Sequence, residues 1–480
     1  MYASDAVRLL GPEVGSLDEH IGGGGGRGRD AAVLLGPAET VNEVDASGLR
    51  GRGGAGFPTG RKWRAIARYD SDIRPPAVVV NAAEGEPGTF KDRSLLRTNP
   101  YQVLEGALIA AFAIDADRVI VATKSSFTRE IERLRAAAAE LDRAGWFDGV
   151  MVEVFEGPGE YLYGEETGLL EVLDGREPFP RVAPPFRHGV DEIGEGGESA
   201  ADIEMADPDP STGAAPTLVN NVETFANVPL VLAEGPSWYR SVGTDESPGT
   251  VVCTITGRTR RHGVGEVPLG TPLRDVIEEI GDGPNPGREI VAVMSGVANA
   301  LLPADRLDTP VSYEAMTAAG SGLGAAGFIV FDDETDLVAV AHGVARFLSV
   351  ESCGQCTPCK QDGLAIAAAL DRMRTSDPDP DDLETLRRRV RTVTDGARCY
   401  LAQQQQDVIG SILALFPDAI TDHAGATAAP ADVAPIAPLV DIVDGSAILD
   451  LDELRKQPDW TYDEPWSGES PADRIDQRAE

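Results

Sequence analysis

The chain has 480 residues, and its 79 aspartates and glutamates outnumber its 42 lysines and arginines, giving a formal net charge of −37 at pH 7. A protein needs a basic surface to bind the phosphates of nucleic acids. A chain with this net charge is therefore not expected to bind nucleic acid. The 42% of hydrophobic residues excludes a wholly disordered chain, and the length predicts roughly two to four domains.

Cation usage points to the cellular environment. Only five lysines occur, so arginine supplies most of the positive charge. A composition rich in acid and poor in lysine suits molar salt, where self-repulsion is screened. We expect a halophilic cytoplasm, with an acidic protein of an ordinary cytoplasm as the alternative. We also expect no direct membrane insertion, because no apolar run reaches the ~18 residues of a span and the first residues lack signal-peptide features. Any membrane association would come through partner subunits.

Residues 1–35 form a weakly patterned N-terminal extension. It contains the run Gly22 to Gly26, which we interpret as a flexible loop because no strand leads into it and no basic residue lies within it. The proline and acidic residues that follow predict a short helix leading into the first motif.

That motif is SGLRGRGGAGFPTGRKW, from Ser47 to Trp63, with six glycines and four basic residues. Glycines expose backbone N–H groups without an obstructing Cβ, and Lys62 adds a full positive charge, a combination that cradles a phosphate. The motif precedes the first predicted strand, so it is not the dinucleotide fingerprint. Taken alone, the pattern fits a merely flexible loop equally well.

Strands then alternate with helices. A buried strand from Ala77 to Val80 and the runs DRVIVATK and VMVEVFEG are separated by helical patterns, which predicts a parallel, doubly wound α/β sheet with ligands beyond the carboxyl ends of its strands. The loops that begin at Asn81 and Gly157 lie at those ends. They carry four glutamates, which could bind ribose hydroxyls or face a flavin ring, or could be solvated surface groups: Glu84, Glu86, Glu165 and Glu166.

The rest of the chain divides by composition. We place an α/β domain at 36–245, with a solvated acidic insertion at about 189–214. Short strands around one helix predict a small α+β module at 246–336, and helical periodicity predicts a bundle of about four helices at 337–425. We expect residues 426–480 to form a mostly extended acidic tail with one helix at LDLDELRK.

Four cysteines are spaced for a metal cluster. Two residues separate Cys353 from Cys356, and two more separate Cys356 from Cys359. Cys399 follows later in the chain. Three close thiolates and one remote thiolate can surround a [4Fe–4S] cluster, whereas a zinc ribbon needs two separated pairs; structural zinc is the weaker alternative. Cys253 lies in an alternating strand pattern and is interpreted as a core residue.

Five motifs together resemble one family. GLRGRGGAGFPTGRKW, NAAEGEPGTFKDR, EYLYGEETGLLEVLDG, PTLVNNVET and ESCGQCTPCKQDG occur in order over roughly residues 40–415. They are similar to the NADH-oxidising flavoprotein subunit of respiratory complex I and to the diaphorase subunits of NAD-linked hydrogenases and formate dehydrogenases. The resemblance implies a Rossmann-like FMN/NADH domain, a ubiquitin-like β-grasp domain of the SLBB type without a cofactor, and a C-terminal four-helix bundle with the cluster.

The resemblance also implies the site residues. FMN would be held by Gly51, Gly53, Gly54, Lys62, Asn81, Glu84, Gly164, Glu165, Asn220, Asn221 and Thr224. NADH would stack over the flavin near Phe57, Glu86, Tyr161, Glu166 and Phe186, with Glu86, Glu165 and Glu166 as the catalytic carboxylates. Cys353, Cys356, Cys359 and Cys399 would bind the [4Fe–4S] cluster.

The implied activity is hydride transfer from NADH to FMN and single-electron transfer to the cluster. Partners would be a [2Fe–2S] thioredoxin-like subunit and a larger iron–sulfur, molybdopterin, hydrogenase or quinone-reducing subunit. This chain departs from the family at Ala83, where an aspartate is usual, and at Ala65, where an aromatic is common. These departures motivate an alternative, an electron-transfer adaptor that holds FMN and cluster but does not oxidise NADH.

Overall fold

A parallel β-sheet forms the centre of the first part of the chain. The protein was analysed as a computed structural model, which describes residues 7–68, 75–181, 216–462 and 465–476. Within these ranges the sheet has the order β3-β2-β1-β4. Its strands are β1 (Ala77–Ala82), β2 (Arg118–Lys124), β3 (Met151–Gly157) and β4 (Thr217–Asn221). Val78, Val79 and Val80 are fully buried, as expected for a central parallel strand covered on both faces. The predicted α/β class with a parallel sheet is confirmed.

Ten helices of the described residues accompany this sheet. The most apolar, Pro100–Ile114, packs against both β1 and the helix Val222–Glu234, so nearly all of its side chains are buried. The helices are α1 (Leu17–Gly22), α2 (Arg27–Leu35), α3 (Pro37–Ser47), α4 (Thr59–Ala67), α5 (Lys91–Thr98), α6 (Pro100–Ile114), α7 (Thr128–Arg143), α8 (Glu166–Leu173), α9 (Val222–Glu234) and α10 (Pro236–Tyr239).

The glycine run of the N-terminal extension is not a flexible loop, and that prediction was wrong. It forms the turn between α1 and α2, and the buried carboxylate of Glu105 holds it in place. This carboxylate accepts hydrogen bonds from the Gly26 N–H (2.9 Å), the Arg29 N–H (3.0 Å) and the His20 ring (2.9 Å). A Cβ at Gly25 would lie 2.2 Å from the His20 ring, so close packing explains the glycine there.

A second sheet follows, with the order β6-β5-β9-β7-β8. It is mostly antiparallel and packs on two helices, with the buried Cys253 in its core. Its strands are β5 (Thr250–Gly257), β6 (Gly263–Pro268), β7 (Ile290–Ser295), β8 (Leu302–Pro303) and β9 (Gly327–Asp332), and its helices are α11 (Leu273–Gly281) and α12 (Tyr313–Ala318).

Helices make up the third part of the chain. Their apolar faces form one core around Val338, Leu348 and Ile409. They are α13 (Leu337–Glu351), α14 (Thr357–Arg374), α15 (Asp382–Thr392), α16 (Leu401–Leu415) and α17 (Pro417–Ala424). In the described residues no helix is long and apolar enough to cross a membrane.

The C-terminal segment packs along the other units, and the helix predicted at LDLDELRK is only a 3-10 turn, Glu453–Arg455. The segment forms a hairpin of β10 (Leu439–Val443) and β11 (Ser446–Leu449) and ends in α18 (Pro471–Asp476). Arg93 donates to the Val440 carbonyl (3.2 Å), and the Ala447 N–H donates to His262 (2.8 Å). These contacts tie the hairpin to α5 and to the segment between the first two strands of the second sheet, residues 258–262.

Candidate functional site

The carboxyl ends of β1 and β4 open into a cavity of about 630 Å³, a volume in the usual range for a small-molecule site. These two adjacent strands leave the sheet where its order reverses, the position at which doubly wound sheets bind ligands. Every cavity residue implied by the family resemblance lines this space except Phe186, which lies outside the described residues. The lining includes Gly51, Gly53, Gly54, Phe57, Lys62, Asn81, Glu84, Glu86, Tyr161, Gly164, Glu165, Glu166, Asn220, Asn221 and Thr224.

The glycine motif forms one wall as a closed loop. The Gly51 N–H donates to the Phe57 carbonyl (2.8 Å), and the Thr59 N–H donates to the Leu49 carbonyl (2.9 Å). Gly54 has a φ of 134°, which only glycine adopts readily. The loop therefore presents backbone to the cavity, and α4 begins immediately after it.

The basic side chains of this motif have different partners and do not all face the cavity. Arg52 is buried with its guanidinium turned to Tyr239 Oη (3.0 Å) and the Thr250 carbonyl (3.0 Å), so it stabilises the loop from behind. Arg50 lies over the Tyr313 ring. Within the motif, Lys62 is the cation that lines the cavity, where its Nζ bonds the Glu166 carboxylate and the Val219 carbonyl (2.8 Å).

Asparagine side chains at the strand ends are held in fixed orientations. Asn81 Nδ2 donates to the Gly164 carbonyl (2.8 Å), and Asn220 Oδ1 accepts from the Trp63 indole (3.0 Å). Asn221 Oδ1 caps α9 through the Glu223 N–H (2.9 Å), while its Nδ2 donates to an Asp92 carboxylate oxygen (2.7 Å). Such pre-organised amides fix the orientation of a bound polar ring.

Two of the predicted glutamates cap helices. Glu84 accepts from the first N–H groups of α5, at Asp92 (3.1 Å) and Arg93 (3.3 Å). Glu165 accepts from Thr167 N–H (2.9 Å) and Gly168 N–H (2.8 Å) at the start of α8. Burial raises the pKa of both carboxyls despite these bonds.

Glu86 differs from the two helix-capping glutamates because its hydrogen bonds come from a tyrosine hydroxyl and a loop N–H. Its carboxylate accepts from the Tyr161 hydroxyl and from the Val297 N–H (2.6 Å), and Gln404 donates to the same hydroxyl (2.9 Å). Burial raises the pKa of Glu86 to about 7, although both hydrogen bonds lower it. A buried carboxyl that titrates near neutrality in a cavity is typical of a functional site.

The sequence did not predict that the second sheet would contribute to this cavity. Its loops supply Ala298, Asn299, Gly324 and Ala325 to the wall, and the helical part supplies Tyr400, Leu401 and Gln404. The module expected to hold no cofactor of its own therefore closes one side of the cavity. Of the two departures from the family, Ala83 lines the cavity, whereas Ala65 is exposed on α4.

The four clustered cysteines surround a second, smaller cavity. Cys353, Cys356, Cys359 and Cys399 all line it, with apolar neighbours such as Leu162 and Ala402. In the described ranges no three His, Cys or carboxylate side chains converge as ligands of a single metal ion. Cysteines spread around a common space fit a cluster better than the zinc alternative, since a cubane holds its four ligands farther apart. Burial raises the pKa of the Cys359 thiol to about 11 and that of Cys399 to about 12.

A buried lysine supports the cysteine loop. Lys360 Nζ donates to the carbonyls of Ser349 (2.8 Å), Val350 (3.3 Å) and Ser352 (2.8 Å) at the end of α13. All three ammonium hydrogens therefore have acceptors, and the loop that begins at Cys353 is fixed to α14.

The two cavities share a wall. Leu162, Cys399 and Leu401 line both of them. A group in the larger cavity and a cluster in the smaller one would therefore be separated by little more than one side chain.

Comparisons with known proteins agree with this arrangement. Residues 44–230 match the Nuo51 FMN-binding domain, and residues 339–423 match the NADH-ubiquinone oxidoreductase-F iron-sulfur binding region. The F 2 subunit of NADH-quinone oxidoreductase from Rhizobium meliloti (strain 1021) is 36% identical over 400 residues, covering 81% of this chain and 90% of the relative. The corresponding F protein of Escherichia coli (strain K12) is 36% identical over 394 residues, covering 79% and 83%.

A solved structure shows the same fold. The NAD+-reducing [NiFe]-hydrogenase in the air-oxidized state superimposes with a TM-score of 0.72 and 30% identity, over 90% of this chain and 70% of that one. The matched regions, the relatives and this fold together show that the chain belongs to the family of NADH-quinone oxidoreductase F subunits.

Proposed function

We propose that this protein is the NADH-oxidising subunit of a larger redox complex and that the two cavities are its cofactor sites. Family membership makes it an FMN-dependent NADH oxidoreductase with a [4Fe–4S] cluster. The observation that carries the assignment of sites is the shared wall of Leu162, Cys399 and Leu401, because electron transfer between the cofactors requires them to be close.

The residues of the larger cavity fit FMN. The phosphate would lie against the Gly51–Gly54 backbone beside Lys62, where N–H groups and one ammonium favour an anion. Asn81, Asn220 and Asn221 provide oriented amides for the polar edge of the ring. A Cβ at Gly164 would lie 3.1 Å from the Ala83 carbonyl, so glycine keeps the floor of the cavity open. Glu84, Glu165 and Thr224 support this floor and its helix termini.

NADH would enter past Phe57, which is 52% exposed and lines the cavity. Tyr161 and Glu86, which are bonded to each other, line the same cavity, as does Glu166 next to Lys62. FMN supplies the chemistry when bound, since it accepts a hydride and passes electrons singly to iron–sulfur clusters. The protein positions the nicotinamide and excludes water; no side chain needs to act as a nucleophile.

The cysteine cavity fits the cluster. Cys353 and Cys359 are buried, and Cys356 and Cys399 are half-buried. The raised pKa values of Cys353, Cys359 and Cys399 mean that cluster insertion must displace protons from them. Lys360 fixes the loop geometry without touching the sulfur ligands directly, because its donors are occupied by carbonyls.

The domain division follows from these assignments. We assign the FMN/NADH domain to 36–245, a ubiquitin-like β-grasp domain of the SLBB type to 246–336, and a four-helix cluster domain to 337–425, flanked by the extension 1–35 and the tail 426–480. The mixed sheet with packed helices and the interlocked α13, α14, α15 and α16 support this division.

Onward transfer requires partners. The relatives of this chain are subunits of multisubunit enzymes, and we propose a [2Fe–2S] thioredoxin-like subunit and a larger iron–sulfur, molybdopterin, hydrogenase or quinone-reducing subunit. Co-purification from the native source, followed by mass spectrometry, identifies which acceptor this complex uses.

A cofactor titration tests the assignment of sites. Lys62→Met should weaken FMN binding at least about tenfold, because it removes the cation beside the phosphate loop, while the adjacent exposed Arg61→Met should leave it unchanged. Flavin fluorescence quenching measures both dissociation constants. Equal affinity in the two variants would refute the phosphate position.

A second measurement separates this function from the adaptor. NADH added anaerobically to the FMN-loaded protein should bleach the flavin absorbance. Flavin that stays oxidised would identify the adaptor, and Ala83→Asp then tests whether the missing carboxylate is the cause.

A further inference from the structure

Helix α15 (Asp382–Thr392) carries an exposed basic face in a chain of net charge −37. Arg387, Arg388 and Arg391 are exposed and line one shallow surface hollow. Arg391 lies four and three positions after the other two, which is the spacing of neighbours on a helix surface. Pro380 and Leu383 contribute apolar surface to the same hollow. We call these three arginines with Pro380 and Leu383 the arginine face.

Within the described residues, the three guanidinium groups have no acidic partner. Neighbouring arginines are paired: Arg372 with Asp382, Arg374 with Asp371, and Arg389 with Asp362. In the described part of the chain, by contrast, none of Arg387, Arg388 and Arg391 forms an ion pair, and one contact among them is Arg391 Nε donating to the Arg387 carbonyl (3.0 Å). Glu384 is the acidic residue that lines the same hollow, so the local charge remains positive.

The end of α15 that carries Arg391 packs next to the turn of α14 that follows Cys359, where Thr392 donates to an Asp362 carboxylate oxygen (2.5 Å). Helix α15 packs along α14, which carries Cys359 in its first turn. Gln406 of α16 donates to the Val390 carbonyl (2.7 Å) and ties the end of α15 to the helix that follows Cys399. Arg398 is exposed, precedes Cys399 and lines the cysteine cavity. Arg398 and the end of α15 that carries Arg391 therefore lie on elements that also carry or contact the cluster ligands.

We propose that the arginine face is the docking surface for an acidic iron–sulfur protein that accepts electrons from the cluster. The inference rests on the proposed transfer out of that cluster. An acidic partner is repelled by most of a surface with charge −37, so an unpaired cationic face selects its orientation. Arginine also forms two parallel hydrogen bonds with a carboxylate. Such ion pairs in direct contact still stabilise a complex at salt concentrations that screen long-range attraction. Apolar surface within a charged rim is typical of a protein interface.

A binding measurement tests the docking surface independently of catalysis. The oxidised holoprotein is titrated with a fluorescently labelled acidic [2Fe–2S] ferredoxin as the probe, without NADH, at 0.2 M and 2 M KCl. Arg387→Gln, Arg388→Gln and Arg391→Gln combined should raise the dissociation constant at least about tenfold at 0.2 M KCl. A matched control removes three exposed arginines elsewhere, Arg143, Arg260 and Arg306, and should change it less than about twofold.

The outcomes are distinguishable. Equal weakening by both triple variants would mean that only net charge matters and would overturn the proposal, as would a probe that fails to bind the unaltered protein. Arginine-dependent binding of a single-stranded RNA or of an anionic phospholipid vesicle, without binding of the ferredoxin, would also overturn it. NADH-dependent flavin bleaching should be the same in all variants, so loss of docking and failure of the proposed activity are separable.

Discussion

The C-terminal segment is joined to the helical part by a buried ion pair that is open to a direct test. Lys456 Nζ lies 2.8 Å from a Glu351 carboxylate oxygen, and the two side chains are only 1% and 2% exposed. The other Glu351 oxygen accepts from the Tyr161 N–H (3.0 Å), so this pair also supports the cavity wall. Burial alone would disfavour both charges, but each charge stabilises the other, so the pKa of Lys456 is raised and that of Glu351 is lowered.

Lys456→Met should lower the free energy of unfolding by about 3–5 kcal/mol, because it leaves a buried carboxylate without its main cation. The methionine keeps most of the side-chain volume. Adding Glu351→Gln should recover part of the loss, since the amide oxygen still accepts from Tyr161. The matched exposed pair, Arg274 with Asp308 at 2.9 Å, is 50% and 80% exposed, and Arg274→Met should cost less than about 1 kcal/mol.

Urea unfolding followed by circular dichroism measures these differences in 0.2 M and 3 M KCl. The effect of Lys456→Met should persist in high salt because buried charges are screened little, whereas any effect of Arg274→Met should vanish. The stabilisation should also fade as the pH falls through the lowered folded-state pKa of Glu351. Equal shifts in the urea midpoint for Lys456→Met and Arg274→Met would refute this reasoning.

The cavity and the cysteine loop lead to three more predictions. Glu86 has a folded-state pKa of about 7 against an ordinary value of 4.5. The stability that it contributes should therefore decline as the pH rises from 4.5 to about 7. Glu86→Gln should abolish this part of the pH dependence of thermal unfolding. Lys360→Met should remove the lysine donor from three carbonyls at the end of α13 and lower iron content with flavin retained; an unchanged iron assay would contradict this. Cys399→Ser should likewise lose iron, while Cys253→Ala, in the core of the second sheet, should keep it.

Much of the fold was predictable because local patterns agree with the tertiary environment. Val78–Val80 are apolar on both faces and became the centre of the parallel sheet. The close spacing of Cys353, Cys356 and Cys359 predicted a shared site because the fold cannot separate cysteines of one short segment, whereas Cys399 joins them through helix packing. The positions of Asn81 and of the loop at Gly157 were also predictable, because both directly follow the ends of predicted strands.

Other features depend on long-range packing that no local pattern encodes. Arg52 is one of the four basic residues of the glycine motif, yet its guanidinium donates to the distant carbonyls of Pro248 and Thr250. Asn299 and Gly324 reach the cavity only because the unit of the second sheet packs against the first part of the chain, where β5 contacts α5. The glycine run was misinterpreted because its binding partner, Glu105, is distant in sequence. The C-terminal segment has a solvated composition, but Lys456 anchors it in the interior.

The central claim, that one chain holds FMN beside a [4Fe–4S] cluster, is tested most directly by cofactor stoichiometry in anaerobically purified protein. Flavin, iron and acid-labile sulfide are measured on the same sample before and after addition of NADH. One flavin with about four irons and four sulfides per chain is expected, with flavin absorbance that bleaches on NADH addition. Zinc in place of iron, or a chain that binds no flavin, would contradict it.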